Sequence, residues 1–510
     1  MALGMTSGST RHRRAFLRGG SLAWRSALSL FIAIDDRHTS PRRGSASRSA
    51  AITRPNVVWI TNEDMSPHLG VYGDALARTP VLDRLARESI RDTHAFTTAP
   101  VCAASRAAII TGMYQNAIGA QHMRTTEDRV PELPGPYLAV PPFYVKAFPE
   151  HLRAVGYYTT NRVKSDYQFG EPFTVWDDRS EKAHWRNRRD RSQPFFSVFN
   201  LLVTHESQIF PSSPARKNKP LVTDPRKIAV PPYYPDTPLV REGLARMYDN
   251  IADMDSQVGE VLRELEADGL AENTIVFYWS DHGDGVPRAK RSLYDSGLRV
   301  PLMIRWPKSL APPFAPGTVS DELVSFVDLA PTVLALAGAE TPGHLQGRVL
   351  VGPKAGPPPT YVFAARDRMD QECDMMRSAR DARFLFVRNM MPELPYAGLI
   401  IYRNQSAIMQ EWLRLQVAGT LTGPAALWMR SHRPAEELYD AQADPHQIEA
   451  LFTRLGPEAT ANGGRQRARR IVSARGWPPW SESNPPSSIG SRWLTPGRDR
   501  YWSPCSSDTA

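Results

Sequence analysis

An α/β domain around a largely parallel sheet is the fold class this sequence predicts, and three observations carry the prediction. Between residues 55 and 341, apolar runs of strand length alternate with helical patterns. The runs at 56–61, 195–202 and 274–279 are mostly unbroken rather than alternating, as strands covered on both faces are. Each is soon followed by ionisable residues, Glu63-Asp64, His205 and Asp281-His282. Ligands collect beyond the carboxyl ends of parallel strands, so these residues are expected to share one pocket.

The elements follow in order. Asn56 to Thr61 reads as the first strand. A helix opens at Thr79-Pro80, with Thr as cap and Pro in the first turn, and carries Leu82, Leu85 and Ala86 on one face. A second helix is predicted from near Ser105 through Ile109 and Ile110 to a stop at Gly112. The strand at 195–202 leads to His205. Residues 241–268 form a long amphipathic helix whose apolar stripe runs through Leu244, Met247, Ile251, Met254, Val258, Val261, Leu262 and Leu265. The strand at 274–279 ends at Ser280-Asp281-His282-Gly283. One more strand is expected at 301–306 and one more helix at 328–337. A Gly/Pro-rich linker at 342–359 separates this 55–341 domain from a smaller α+β domain at 360–455, with strands at 360–365 and 383–387. The tail at 456–510 is rich in Pro, Ser and Arg and is not expected to fold alone.

A length of 510 residues accommodates one large and one smaller domain, and 41% hydrophobic with 23% charged residues is ordinary for a globular chain. No stretch approaches the roughly 18 unbroken apolar residues of a membrane span. Of the net charge of +9, residues 1–55 carry +8 and residues 456–510 carry +4, which leaves the body at −3. The basicity sits in the tails, so a nucleic-acid-tracking surface on the folded part is not predicted. Cys102, Cys373 and Cys505 form neither a disulfide framework nor a zinc-site spacing. Arg13-Arg14, followed by Phe16-Leu17 and a weakly apolar stretch at 26–34, resembles a twin-arginine export signal. That predicts a periplasmic or secreted protein with residues 1–54 as signal and disordered linker. The competing reading is a basic arm on a cytoplasmic protein.

Glu63, Asp64 and Asp281 would repel one another in one pocket unless a cation joined them. An oxygen-rich set with one imidazole, His282, suits Ca²⁺ better than Mg²⁺, because Ca²⁺ tolerates irregular geometry. Cys102 lies just before a helix, whose free N–H groups and positive dipole end suit an oxyanion. Such a site also favours a thiolate. Arg106 in the first turn adds a fixed positive charge. These residues alone do not name a reaction.

Cys102-Ala103-Ala104-Ser105-Arg106, followed by Thr111-Gly112, resembles the signature of the formylglycine-dependent (type I) sulfatases, of the alkaline-phosphatase-like superfamily. Asn56 through Asp64 is similar to the family's first strand and acid pair, with Glu63 in a position more often Asp. Ser280-Asp281-His282-Gly283 is similar to its second metal-binding segment, with His282 where Asn is common. Lys290, four residues before Tyr294, matches a sulfate-binding Lys or Arg. Lys164, eight residues after Gly156, matches a catalytic Lys, and His205 matches a sulfate-binding His. Asp166 stands where many relatives have His. The resemblance spans residues 55 to 452 and is loosely nearest to N-sulfoglucosamine and heparan sulfatases.

The resemblance implies an alkaline-phosphatase-like large domain with a smaller C-terminal α+β domain. It implies hydrolysis of a sulfate ester or sulfamate on a sulfated small molecule or glycan. Cys102 would be oxidised to formylglycine by a separate formylglycine-generating enzyme. One hydroxyl of the hydrated aldehyde attacks sulfur, and the other lets the sulfated group expel sulfate. Metal ligands would be Glu63, Asp64, Asp281, His282 and the residue made from Cys102. Arg106, Lys164 and Lys290 would neutralise sulfate oxygens, and His205 would bind sulfate or protonate the leaving oxygen. His122 and Arg124, soon after the nucleophile helix, either touch the sugar of the substrate or pack structurally. Two other readings are a phosphonate monoester or phosphodiester hydrolase on the same scaffold, and an inactive binding protein whose Cys102 stays a thiol.

Overall fold

The structure is a computed structural model that describes residues 54–123, 138–214 and 219–454. The arginine pair at 13–14, Arg124 and the tail beyond 454 lie outside the described residues.

Eight strands form the larger sheet: β1 (Asn56–Asn62), β2 (Ser89–Phe96), β3 (Tyr158–Arg162), β4 (Asp178–Arg179), β5 (Phe195–Leu201), β6 (Thr274–Ser280), β7 (Leu302–Arg305) and β8 (Val319–Ser325). Their order is β4-β3-β5-β1-β6-β7-β2-β8. β7 is antiparallel to both its neighbours, and every other adjacent pair is parallel. The predicted, largely parallel α/β class is therefore the observed one. β1 lies at the centre, between β5 and β6, and all seven of its residues are buried. That burial is why its apolar run does not alternate.

Helices cover both faces, and the side-chain period of two divides β1 between them. Val57 and Trp59 pack with helices α2 (Cys102–Thr111), α3 (Phe148–Ala154) and, further along the chain, residues 329–334. Trp59 and Trp279 meet edge-on at 5.2 Å in that layer. Val58 and Ile60 pack with α1 (Pro80–Arg87) and α4 (Pro238–Ala267). All eight residues of the predicted stripe on α4 are buried. The helix starts three residues before the predicted 241, because Thr237 caps it by accepting the Val240 N–H and Pro238 fills the first position. On α1, Thr79 stands at the predicted cap position, but its hydroxyl accepts from the Gly70 N–H and contacts Asp83 rather than capping.

The smaller sheet is antiparallel, with five strands in the order β13-β12-β11-β10-β9: β9 (Val362–Arg366), β10 (Met376–Arg380), β11 (Phe384–Asn389), β12 (Glu436–Asp440) and β13 (Phe452–Arg454). Between β11 and β12 a helix, Ala407–Val417, sends Ile408, Met409 and Trp412 into the α4 core of the large domain. The stretch 342–359 contains no helix or strand and is strapped along the large domain. The Gln346 N–H donates to the Gly112 carbonyl, that of Arg348 to Asp328 and that of Leu350 to Thr332. No described helix is long and apolar enough to cross a membrane.

Candidate active site

The ends of β1, β5 and β6 and the start of α2 meet in one buried pocket. α2 begins at Cys102, three residues earlier than predicted. Ala103-Ala104 are good helix formers, and Ser105 is taken up by tertiary bonds to Thr97 and the Asp281 carbonyl, both at 2.6 Å. Val101 at the cap position supplies no side-chain acceptor, so the first-turn N–H groups beside Cys102 lack a side-chain cap. The helix ends as predicted at Gly112, whose φ of +65° is left-handed.

Cys102 is free, buried and surrounded by charge. Its Sγ lies 3.4 Å from His282 Nε2, 3.5 Å from Lys290 Nζ and 3.9 Å from Asp64 Oδ1. Burial pushes its thiol pKa up, but Lys164 and Lys290 outweigh that and hold it below the usual value.

The three predicted acids each meet a cation. Asp64 Oδ2 accepts from Lys290 Nζ at 2.8 Å, and Oδ1 lies 2.9 Å from His282 Nε2. Burial raises the Asp64 carboxyl, yet Lys290 and His282 bring it well below the carboxylate range. Asp281 Oδ2 accepts from Arg106 Nε at 2.9 Å, and its Oδ1 accepts the backbone N–H groups of Asp64 and His282. Glu63 pairs with Lys164 and lies 3.6 Å from Arg106 Nη2. Burial alone would favour neutral His282, but Asp281 and Asp64 push it up to about 10.

The donor atoms of Asp64, Cys102 and His282 lie within 4.8 Å of one another, as do those of Glu63, Cys102 and Asp281. Two sets that share Cys102 and bring in three nearly fully buried carboxylates and one imidazole fit a hard divalent cation. A further set within the same span joins Asp64, His205 and Glu206. His205 Nδ1 contacts Ser207 Oγ at 2.8 Å. Burial and Lys290 lower its pKa, but Asp64 and Cys102 outweigh them and raise it.

Eight of the predicted residues, Glu63, Asp64, Cys102, Arg106, Lys164, Asp281, His282 and Lys290, are therefore linked by these contacts, with His205 at the edge of the same set. Asp166, at the position where His is usual, has φ +52° and lies 3.5 Å from Lys164 Nζ. His122 Nδ1 accepts the Arg368 N–H, which ties it to the loop after β9. Asp295 pairs with Arg380, and Arg299 donates to the Thr93 carbonyl. Sequence reasoning missed Asn200, which accepts from Arg106 Nη1 at 2.7 Å, and the pair Glu206–Arg291. Asn200 stands near the carboxyl end of β5, a signal that was available.

A family model described as Sulfatase matches residues 55–181 and 178–339. An ulvan-active sulfatase of Formosa agariphila is 42% identical over 432 residues, 78% of this chain and 71% of that protein. The human N-sulphoglucosamine sulphohydrolase is 28% identical over 445 residues, 78% of this chain and 86% of its own. Among solved structures, a 2-O GAG sulfatase aligns with TM-score 0.58 at 17% identity, over 86% of this chain and 92% of that one. The phosphonate monoester hydrolase of Agrobacterium radiobacter aligns with TM-score 0.54 at 16% identity, over 83% and 96%. These two share the fold. The sequence matches over the Cys102, Asp64 and Asp281 segments go further, and the chain belongs to the sulfatase family of sulfate-ester hydrolases.

Proposed function

We propose that this sulfatase cleaves a sulfate ester on a carbohydrate, with Cys102, once converted to formylglycine, as the nucleophile. The observation that carries the reading is the convergence of Lys290 Nζ, His282 Nε2 and Asp64 Oδ1 within 4 Å of Cys102 Sγ. The 42% identity to an ulvan-active sulfatase favours a sulfated polysaccharide ester over a sulfamate.

Each residue then has a task. Glu63, Asp64, Asp281 and His282 would hold a cation, Ca²⁺ in preference to Mg²⁺, which as a Lewis acid would stabilise negative charge on oxygen beside the nucleophile. Lys164, Lys290 and Arg106 present positive charge to the sulfate oxygens in a site shielded from water, where such charges count most. His205, with its raised pKa, protonates the departing sugar oxygen. A formylglycine-generating enzyme is the maturation partner, and Arg13-Arg14 would direct export to the periplasm or beyond.

A peptide mass across residue 102 of protein made with the maturing enzyme, together with turnover of an aryl sulfate, tests the reading. The expected result is the aldehyde and sulfate release faster than aryl phosphonate hydrolysis. An unmodified thiol in inactive protein would leave the binding-protein alternative standing. Faster phosphonate cleavage would favour the phosphonate hydrolase.

A further inference from the structure

Glu206 has no part in the scheme above, yet it touches Asp64, Lys290 and Arg291 and is only 4% exposed. Its backbone N–H donates to Asp64 Oδ2 at 2.7 Å. Its Oε1 lies 3.0 Å from Lys290 Nζ, and its two oxygens take the Arg291 guanidinium in a fork at 2.8 and 3.0 Å. Arg291 has φ +71°, and its own N–H donates to the Pro100 carbonyl, two residues before Cys102. One carboxylate thus joins the loop after β5, the loop after β6 and the approach to the nucleophile.

The surroundings of Lys290 give this a function. An ammonium is a compact charge on a flexible four-carbon stem, so its place is set by the anions around it. Nζ donates to both Asp64 oxygens, at 2.8 and 2.9 Å, pairs with Glu206 Oε1 at 3.0 Å and lies 3.5 Å from Cys102 Sγ. Two carboxylates thus fix the ammonium where it reaches the nucleophile. Lys290 and Arg291 are also adjacent cations in a buried site, and without an anion between them they would be driven apart.

We propose that Glu206 is a positioning residue that acts through Lys290, holding its ammonium toward the nucleophile while neutralising Arg291. The proposal rests on the sulfatase reading of the Cys102 site. The test is a double-mutant cycle in the matured, metal-loaded enzyme with an aryl sulfate: wild type, Glu206→Gln, Lys290→Ala and the pair. Glu206→Gln is expected to lower kcat about 10- to 100-fold with KM changed less than about 3-fold. In the Lys290→Ala background the same change should cost less than about 2-fold. Glu206→Asp, which keeps the charge, should recover part of the loss and serves in the cycle if the Gln variant does not fold. Additive losses, or an unchanged kcat in Glu206→Gln, would overturn the proposal. Failure of the parent reading is a separate result, since it is a matured wild type with no aryl sulfate turnover. In that event calorimetric binding of inorganic sulfate to the same four proteins reads the coupling, and additive affinities would again overturn it.

Discussion

Gly285 lies against Asp64 so closely that a Cβ on the glycine would stand 2.7 Å from Asp64 Oδ2 and 2.9 Å from Asp64 Cβ. The contact is a matter of space, and it locks two loops together. The Gly285 N–H donates to the Asp64 carbonyl, and Asp64 holds a left-handed φ of +54°. Gly285→Ala must therefore push Asp64 away from Lys290 and His282. We expect kcat/KM to fall by at least about 10-fold, because small misplacements of reacting groups are costly. Thermal unfolding and aryl sulfate kinetics check this, and wild-type kinetics in the alanine variant would refute it.

Arg106 divides its guanidinium among three partners, with Nε on Asp281, Nη1 on Asn200 and Nη2 nearest Glu63. A lysine carries charge but no fork, so one ammonium cannot reach Asp281 and Asn200 together. Arg106→Lys is expected to lose about 10²- to 10³-fold in kcat/KM, close to Arg106→Ala rather than to wild type. A lysine variant within about 3-fold of wild type would show that charge alone suffices there.

How far this was legible depends on where each residue's signal lay. Asp64, Cys102, His205 and Asp281 sit at strand ends or a helix start, so local pattern placed them before any contact was known. Glu206 and Arg291 lie 85 positions apart and meet only in the folded chain. Their only local sign is adjacency to His205 and Lys290. Among the strands, β1, β5 and β6 were legible because they are buried on both faces. β2 was not, because its Ser-Ile-Arg-Asp-Thr-His sequence is half-exposed and its pairing with β8 shifts register between Asp92 and His94, which breaks the alternation. The place of His122 soon after α2 leaves a sugar contact and structural packing both open, and its bond to Arg368 is invisible at the level of spacing.

Metal removal tests the carboxylate cluster directly. Glu63, Asp64 and Asp281 are each at most 2% exposed, and a cation bound to the native state alone would add stability by mass action. Chelation should abolish aryl sulfate turnover and lower the thermal midpoint by several degrees, a shift of about 1–3 kcal/mol. Adding back Ca²⁺ should restore both, and Mg²⁺ should do so less completely. A midpoint and activity indifferent to chelator would remove the cation from the reading.

The last prediction lies away from the pocket, at Asp92 on β2. Burial pushes its carboxyl up to about 7, helped by Glu322 and opposed by a hydrogen bond from Ser320 and by the Arg348 charge. A group with a raised native pKa binds its proton more tightly when folded. Between the unfolded value near 4 and the native value near 7 the native state therefore holds more protons, and stability falls as pH rises through that window. From pH 5.5 to pH 8 the loss from this group is about 2 kcal/mol, and above pH 8 it adds no further slope. Asp92→Asn keeps the shape without the titration. Urea unfolding at the two pH values should show the variant losing about 2 kcal/mol less than wild type, and more stable than wild type at pH 8. Equal pH slopes in the two proteins would mean that Asp92 reaches water in the native state.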